Sequence, residues 1–224
     1  MDALKSEIIP LEREFEAWII SNIERYFETN GIKYYIRALM PKEEKKIGAD
    51  ELMFFSNSYK VVALQFKRPY VNIENPTWES LYWNLFNQSN QFTKVAKIPS
   101  LYYCLPAFTN RNYRKEALSH CFFWKPNKNE KDGKYYLKQG SGESHSKNNY
   151  IKNPMKWVQF IKEILECRIG CKLDSETKLK RKIKINCLLE YFSESENSTK
   201  NPSIENDLNY ENKDSAIYLI AIEV

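Results

Sequence analysis

The first apolar repeat of the chain has the spacing of an amphipathic helix. Apolar residues from Leu11 to Phe27 recur at the i, i+4, i+7 and i+8 positions, which places them on one helix face. Asn30 and Gly31 follow, and such residues are typical of a helix end. The sequence therefore predicts a long helix that stops at Asn30-Gly31.

Three strands are predicted after this helix. The segments 32–39, 47–55 and 60–67 are rich in apolar, aromatic and β-branched residues and read as strands. The charged run 42–46 reads as a turn. The short connection 56–58 predicts that the second and third strands pair antiparallel.

The remaining pattern predicts a helix, a strand, a short basic helix, a strand, a polar loop and a helix, at 77–97, 100–108, 110–119, 120–126, 127–153 and 154–169. Beyond Gly170, segments 178–192 and 215–224 alternate like strands around the polar segment 193–214. The order α-β-β-β-α-β predicts an α/β fold with a central mixed sheet flanked by helices. The predicted domain covers residues 1–170, and residues 171–224 form a C-terminal β extension whose polar loop, 193–214, is flexible.

Composition places the chain among soluble proteins of a reducing compartment. It has 224 residues, 42% of them hydrophobic, and a formal charge of +5, which permits a nucleic-acid partner without requiring one. The sequence predicts no signal peptide, and it contains no apolar run near the ~18 residues of a membrane span. The five cysteines contain no CxxC pair and read as reduced thiols. We expect a cytoplasmic protein without a membrane partner.

Polar side chains stand where two of the predicted strands meet. Gln65 and Lys67 end an apolar strand that begins at Val61, and as i and i+2 they share a face. Antiparallel pairing brings the start of the preceding strand, at Asp50, beside them. The first helix carries Glu12 and Glu16 at one border of its apolar face, and Glu16, which follows Phe15, is the favoured partner of the strand ends.

Carboxylate and amide oxygens beside a lysine suit a divalent metal site that acts on a phosphodiester. Hard oxygen ligands hold Mg²⁺, and the metal lowers the pKa of a bound water and neutralises charge on the phosphate. Lysine can orient the water or stabilise the transition state. Gln65 can offer its side-chain oxygen as a neutral ligand.

These residues resemble the PD-(D/E)xK nuclease superfamily, in the QxK variant of Mrr-type endonucleases. The matching stretches are "FEAW" with Glu16, "GAD" with Asp50 and "QFK" with Gln65 and Lys67, within residues 11 to about 125. The resemblance implies a restriction endonuclease-like αβββαβ core. It also implies Mg²⁺ (or Mn²⁺) bound by Asp50, Gln65, the main-chain carbonyl of Phe66 and Glu16, with Lys67 serving the water. The expected activity is DNA hydrolysis in prokaryotic or viral defence, repair or recombination.

Two departures from the family pattern keep an alternative open. Ala49 precedes the aspartate where the family has proline, and residue 65 is an amide. Both features occur in active members of the family and also in members that have lost cleavage. The alternative is therefore a catalytically inactive fold of this type that binds nucleic acid or scaffolds a complex.

Basic residues are the predicted contacts to DNA phosphates. They are Arg68, Lys94, Arg111, Arg114 and Lys115, and such contacts would be sequence-independent and sensitive to salt. Solvated surface is the competing interpretation of each. A monomer and a homodimer are both compatible with this sequence, and the apolar last strand is a further candidate for self-association.

Overall fold

The computed structural model describes residues 2–6, 8–55, 60–137, 149–166 and 168–172. Over these ranges the protein is a mixed α/β structure with a mixed sheet and flanking helices. The predicted α/β class is confirmed. None of the helices in this described part is long and apolar enough to cross a membrane. The predicted strands 178–192 and 215–224, and the loop between them, lie outside the described residues.

Four α-helices and ten strands make up the described structure. The helices are α1 (Glu12–Thr29), α2 (Pro41–Ile47), α3 (Gln91–Lys97) and α4 (Trp157–Leu165). The strands are β1 (Tyr34–Ala38), β2 (Glu51–Phe55), β3 (Lys60–Phe66), β4 (Pro69–Tyr70), β5 (Tyr82–Leu85), β6 (Leu101–Pro106), β7 (Cys121–Trp124), β8 (Gly133–Tyr136), β9 (Asn149–Tyr150) and β10 (Cys171–Lys172). Short 3₁₀ segments cover Asp2–Leu4, Gln88–Asn90 and Arg111–His120.

The central sheet has the strand order β1-β2-β3-β6-β7. β1, β2 and β3 pair antiparallel with one another in that order, whereas β6 runs parallel to β3 and β7 antiparallel to β6. The parallel step requires a crossover connection, which includes α3. β10 pairs antiparallel with the first two residues of β3.

β3 is the centre of the fold because both of its faces are covered. All of its residues are buried. Val62, Leu64 and Phe66 pack under α1 and α4, while Val61 and Ala63 pack against α3 and a second sheet. A strand buried on both faces carries the unbroken apolar run seen at 61–64. Lys60 and Gln65 are its two buried polar side chains.

The second sheet has the order β4-β5-β8-β9. Only two residues separate its first strand, β4, from the last residue of β3. Trp83, Leu85 and Tyr135 on one of its faces belong to the core that also contains Ala63. The second sheet is therefore packed onto the central sheet beside the end of β3.

The predicted helix 77–97 is wrong over most of its length. The structure has β5 at Tyr82–Leu85 and a helix only from Gln91 to Lys97. Burial alternates along β5, with Trp83 and Leu85 inside, and this period of two belongs to a strand packed on one face. The aromatic residues of this segment favour a strand as well.

Smaller differences concern other predicted elements. The charged run 42–46 is part of α2 rather than a turn: Pro41 begins this helix and Gly48, with φ 83°, ends it. The strand predicted from residue 47 therefore begins only at Glu51. The predicted short basic helix is 3₁₀ at Arg111–His120, and the predicted loop 127–153 contains β8 and β9.

Lys125 connects the end of α3 to the start of β6. Its Nζ donates to the carbonyl oxygens of Val95, Ile98 and Leu101, the last at 3.2 Å. The first two belong to the last turn of α3 and its cap, where carbonyl groups lack helical partners. Burial lowers the pKa of Lys125 to about 7, and both the ammonium and the neutral amine can donate hydrogen bonds.

Replacing Lys125 with methionine should lower the free energy of unfolding by about 2 kcal/mol, because the three carbonyl oxygens lose their donor. Urea denaturation at pH 7 measures this change. The exposed neighbour Lys128 provides the control, and Lys128→Met should leave stability unchanged. Equal stability of Lys125→Met and the wild type would show that the free-energy cost of burying the amine equals the stabilisation from its three hydrogen bonds.

Candidate active site

Asp50 is held between two strands by its main chain. Its N–H donates to the carbonyl of Leu64 at 2.8 Å, and its carbonyl accepts from the N–H of Leu39 at 2.8 Å. Because Glu51 pairs with Leu64, Asp50 lies opposite Gln65. The predicted proximity of Asp50 to the end of β3 is confirmed.

The Asp50 carboxylate accepts two hydrogen bonds from β3. The main-chain N–H of Phe66 and the side-chain Nε2 of Gln65 both donate to Oδ2, each at 2.6 Å. Gln65 Nε2 also lies 3.1 Å from the carbonyl oxygen of Phe66. The amide of Gln65 is thus enclosed by two oxygens, those of the predicted ligand residues Asp50 and Phe66.

Burial has the largest effect on the pKa of Asp50. It raises the pKa of this carboxyl to about 7, against the lowering effects of the Phe66 N–H and the positive charge of Lys67. The charges of Glu12 and Glu16 raise it further. A bound cation would favour the ionised form by the same electrostatic principle.

Lys67 faces the first turn of α1. Its Nζ lies 3.6 Å from Glu12 Oε1, and its main-chain N–H donates to the carbonyl of Cys104 on β6 at 3.2 Å. Glu12 Oε2 also accepts from the main-chain N–H of Arg68 at 3.0 Å. Glu12, rather than the favoured Glu16, therefore connects the helix to the end of β3.

Glu16 lies one helical turn after Glu12, and its carboxyl is close enough to that of Glu51 for each to shift the pKa of the other. Two neighbouring carboxyl groups disfavour ionisation of both, since the doubly ionised pair is repulsive. Burial and the Glu16 charge raise the pKa of Glu51 to about 8, and burial raises that of Glu16 as well. Glu51 Oε2 is buried without a hydrogen-bond partner among the described residues.

Glu51 is the site residue that the sequence interpretation missed. It follows Asp50 directly and opens a strand whose other residues are all apolar and buried. A carboxylate at such a position is costly to bury. That conflict within "DELMFF" was the available signal.

The site contains three kinds of oxygen that can bind a divalent cation: a carboxylate, a side-chain amide and a main-chain carbonyl. Gln65 Oε1 is buried and has no hydrogen-bond partner in the described part of the chain. Rotating the amide by 180° exchanges its nitrogen and oxygen with little change of shape. The oxygens of Asp50, Gln65 and Phe66 would then converge on one point, an arrangement that a hard cation stabilises. No group of three or more His, Cys, Asp or Glu side chains within the described ranges is placed to hold a metal ion.

The basic residues predicted to contact phosphate lie in different surroundings. Arg68 adjoins the site. Arg111 is paired with Glu14 at 2.5 Å and lies over the Trp18 ring, and Lys94 donates to the carbonyl of Lys45. Arg114 and Lys115 are exposed on the Arg111–His120 segment. The structure thus brings only Arg68 of this group next to Lys67.

Glu51→Gln should change how stability depends on pH. The folded-state pKa of Glu51, about 8, exceeds the value of about 4.3 for an unfolded glutamic acid. The stability contributed by the protonated group is therefore complete below about pH 4 and is lost as the pH rises through 8. Lacking this ionisation, the variant should be more stable than the wild type by about 1–3 kcal/mol at pH 9 and similar to it at pH 5.

Urea denaturation in EDTA between pH 5 and pH 9 measures the difference. Glu79→Gln, at an exposed position, is the control and should follow the wild-type profile. Parallel pH profiles for Glu51→Gln and the wild type would contradict the assignment of the raised pKa to Glu51.

Comparison of the chain with protein-family models, with curated proteins and with solved structures gave no match. The function is therefore inferred from the contacts of the site residues themselves.

Proposed function

We propose that this chain is a metal-dependent nuclease with a restriction endonuclease-like core, which hydrolyses DNA phosphodiester bonds in prokaryotic or viral defence, repair or recombination. The observation that carries the proposal is the enclosure of the Gln65 amide by Asp50 Oδ2 and the Phe66 carbonyl, at 2.6 and 3.1 Å, with Lys67 adjacent. The order α1-β1-β2-β3-α3-β6, interrupted by α2 after β1 and by β4 and β5 after β3, and the parallel pairing of β6 with β3 support the αβββαβ core.

Asp50, Gln65 and Phe66 would hold the cation, through a carboxylate, an amide and a main-chain oxygen. Bound there, Mg²⁺ or Mn²⁺ would supply Lewis-acid activation of water and would neutralise charge on the scissile phosphate. The protein positions these oxygens through the Phe66 N–H and through the pairing of Asp50 with β3.

Lys67 would act on the reacting phosphate as a fixed cation or as the group that orients the attacking water. Its side chain is only 17% exposed, and Glu12 holds it at 3.6 Å. Glu12 is fixed in turn by the main-chain N–H of Arg68. Glu12 is therefore a positioning residue, because it acts through Lys67.

Glu16 on α1 and Glu51 on β2 lie close enough to Asp50 to interact with its charge. Protonation of one of these two carboxyls would limit the negative charge near Asp50, which helps the site to tolerate four neighbouring carboxyl groups (Glu12, Glu16, Asp50 and Glu51) without a cation. The charge of Glu16 already raises the pKa of Asp50. A cation bound at Asp50 would therefore also attract the Glu16 carboxylate. The predicted role of Glu16 as a metal ligand remains a proposal.

The inactive alternative has one observation in its favour. The hydrogen bond from Gln65 Nε2 to Asp50 Oδ2 pairs the amide N–H with the carboxylate without a cation, as it would in a fold that only binds nucleic acid. Cleavage and metal binding separate the two interpretations.

Cleavage of supercoiled plasmid, linear duplex, single-stranded DNA and a four-way junction should require Mg²⁺ or Mn²⁺. Asp50→Asn and Lys67→Met should each lower the rate at least about 100-fold, because they remove a ligand charge and a fixed cation. Asp132→Asn and Lys97→Met, both at exposed positions, are the matched controls and should keep wild-type rates.

Cutting that survives in Asp50→Asn and Lys67→Met would overturn the assignment of the site. No cutting of any substrate, together with intact binding of DNA, would favour the inactive alternative.

Substitutions at Gln65 should separate cation binding from cleavage. Gln65→Met removes the side-chain oxygen at similar size and should abolish the Mn²⁺-induced rise in melting temperature. Gln65→Glu adds a buried negative charge beside Asp50, so it should be less stable than the wild type in EDTA and should gain more on adding Mn²⁺.

Thermal melting with EDTA, then with Mn²⁺, measures both effects. Gln91→Met, on the first turn of α3, is the control. A Mn²⁺ response of Gln65→Met equal to that of the wild type would exclude Gln65 as a ligand.

A further inference from the structure

Four tyrosines form a continuous ladder across the second sheet. Tyr70, Tyr82, Tyr136 and Tyr150 are direct cross-strand partners, from β4 through β5 and β8 to β9. Successive ring centroids lie 5.4, 5.4 and 6.3 Å apart. Direct partners share one face of a sheet, so the four rings form one row.

This row faces away from the core. Neighbouring positions on β5 and β8, at Trp83 and Tyr135, are buried on the opposite face. The four ladder tyrosines are only half-buried. The tyrosine ladder therefore presents part of its aromatic surface to solvent.

Cations border the ladder. The Arg68 guanidinium lies 5.1 Å from the centre of the Tyr70 ring, and Lys134 Nζ lies 5.1 Å from that of Tyr82. Lys134 pairs with Asn84 and projects from the ladder face, as Tyr82 does. Among the strand residues that the structure describes on this face, none carries a carboxylate.

Arg68 has unused hydrogen-bonding capacity. Its Nη2 donates to the carbonyl of Ile9 at 3.4 Å, while its Nε is buried and finds no acceptor among the described residues. Arg68 as a whole is half-buried, and a guanidinium that solvent reaches in part is suited to a phosphate oxygen. Arg68 also adjoins Lys67, which places this donor between the ladder and the candidate active site.

The ladder begins close to the carboxylates of that site. Tyr70 is the third residue after Lys67, so their Cα atoms are at most about 10 Å apart. About three nucleotides of a strand, at 3.4 Å each, cover this length. A strand resting on Tyr70 and Tyr82 would therefore reach Lys67 within a few nucleotides.

Aromatic rings bordered by cations, without competing acids, match one class of ligand. Bases stack on aromatic side chains while Lys and Arg contact the backbone, and this combination binds single-stranded nucleic acid with little sequence preference. In a duplex the base faces are already stacked on each other and are not available to the ladder.

We infer that the tyrosine ladder binds the unpaired bases of a DNA strand and leads that strand into the Asp50–Lys67 site. The inference rests on the proposed nuclease function for the statement that the strand is led to the Asp50–Lys67 site. It assigns single-stranded or locally unpaired DNA as the preferred substrate. The binding itself needs no cleavage and can be measured without metal.

Fluorescence anisotropy of a labelled 12-nucleotide oligo(dT) in EDTA, beside the matched duplex, tests the inference. The wild type should bind the single strand at least 10-fold more tightly than the duplex. Tyr82→Leu and Tyr136→Leu should each weaken binding of the single strand by about 10-fold to 100-fold, since stacking of one base contributes about 1–3 kcal/mol. Tyr82→Phe and Tyr136→Phe keep the ring and should bind like the wild type.

Tyr35→Leu is the matched control, because Tyr35 is also a half-buried strand tyrosine with an aromatic cross-strand neighbour, Phe54, at 5.8 Å. It should leave binding unchanged. A second measurement does not depend on the folding of any variant. Oligonucleotides with 5-iodouracil, irradiated with the wild-type protein, should crosslink to peptides that contain ladder tyrosines.

Three results would overturn the inference: equal affinity for the single strand and the duplex, unchanged binding by both leucine variants, or crosslinks only to peptides outside the second sheet. Ladder-dependent binding in EDTA without cleavage in Mg²⁺ would keep the ladder and reject the nuclease. Cleavage that requires Asp50, with wild-type binding by the leucine variants, would keep the nuclease and reject the ladder.

Discussion

The hydrogen bond from the Phe66 N–H to the Asp50 carboxylate, at 2.6 Å, is the contact on which the candidate site depends. It joins the start of β2 to the end of β3, at the point where the main-chain hydrogen bonds between these two strands end. Because β3 is buried on both faces and paired on both edges, Phe66 cannot move independently of the core. The carboxylate, the amide of Gln65 and the carbonyl of Phe66 are thus fixed by the fold rather than by a loop, which is the condition for a preorganised site.

The neighbourhood of this contact was predictable because it depends on strand period and pairing. Two strands joined by a tight connection bring Asp50 beside Gln65, whichever helices cover them. What the sequence could not rank was Glu12 against Glu16, since both lie on one border of α1. The outcome depends on how far the helix is shifted along the sheet, and that shift is set by contacts distant in sequence, such as Phe15 on Phe108.

The helix predicted for segment 77–97 was wrong for a different reason. Its apolar residues fit both a helix and a strand, and the strand forms because β4 and β8 supply partners for β5. Those partners cannot be identified from local pattern, because the two residues of β4 are too short to register as a strand and β8 lies in a segment dominated by polar residues. The tyrosine ladder became visible only with the pairing, since its members are scattered over four separate parts of the chain. The sequence pattern predicts which residues share a face within one strand. A surface built from several strands can be predicted only when the register between those strands is known.

The long-range assembly of the second sheet has a consequence for folding. β5 is completed by β8 and β9, which follow only after α3, β6 and β7 have been traversed. Strand pairs that close such long loops form late, so the second sheet should consolidate onto a central sheet that already exists. Its amides should then exchange with solvent through local openings that leave β3 protected. The rigid sheet edge that carries the candidate site would in this way be joined to a region that unfolds locally at lower free energy, with Arg68 at the boundary between the two.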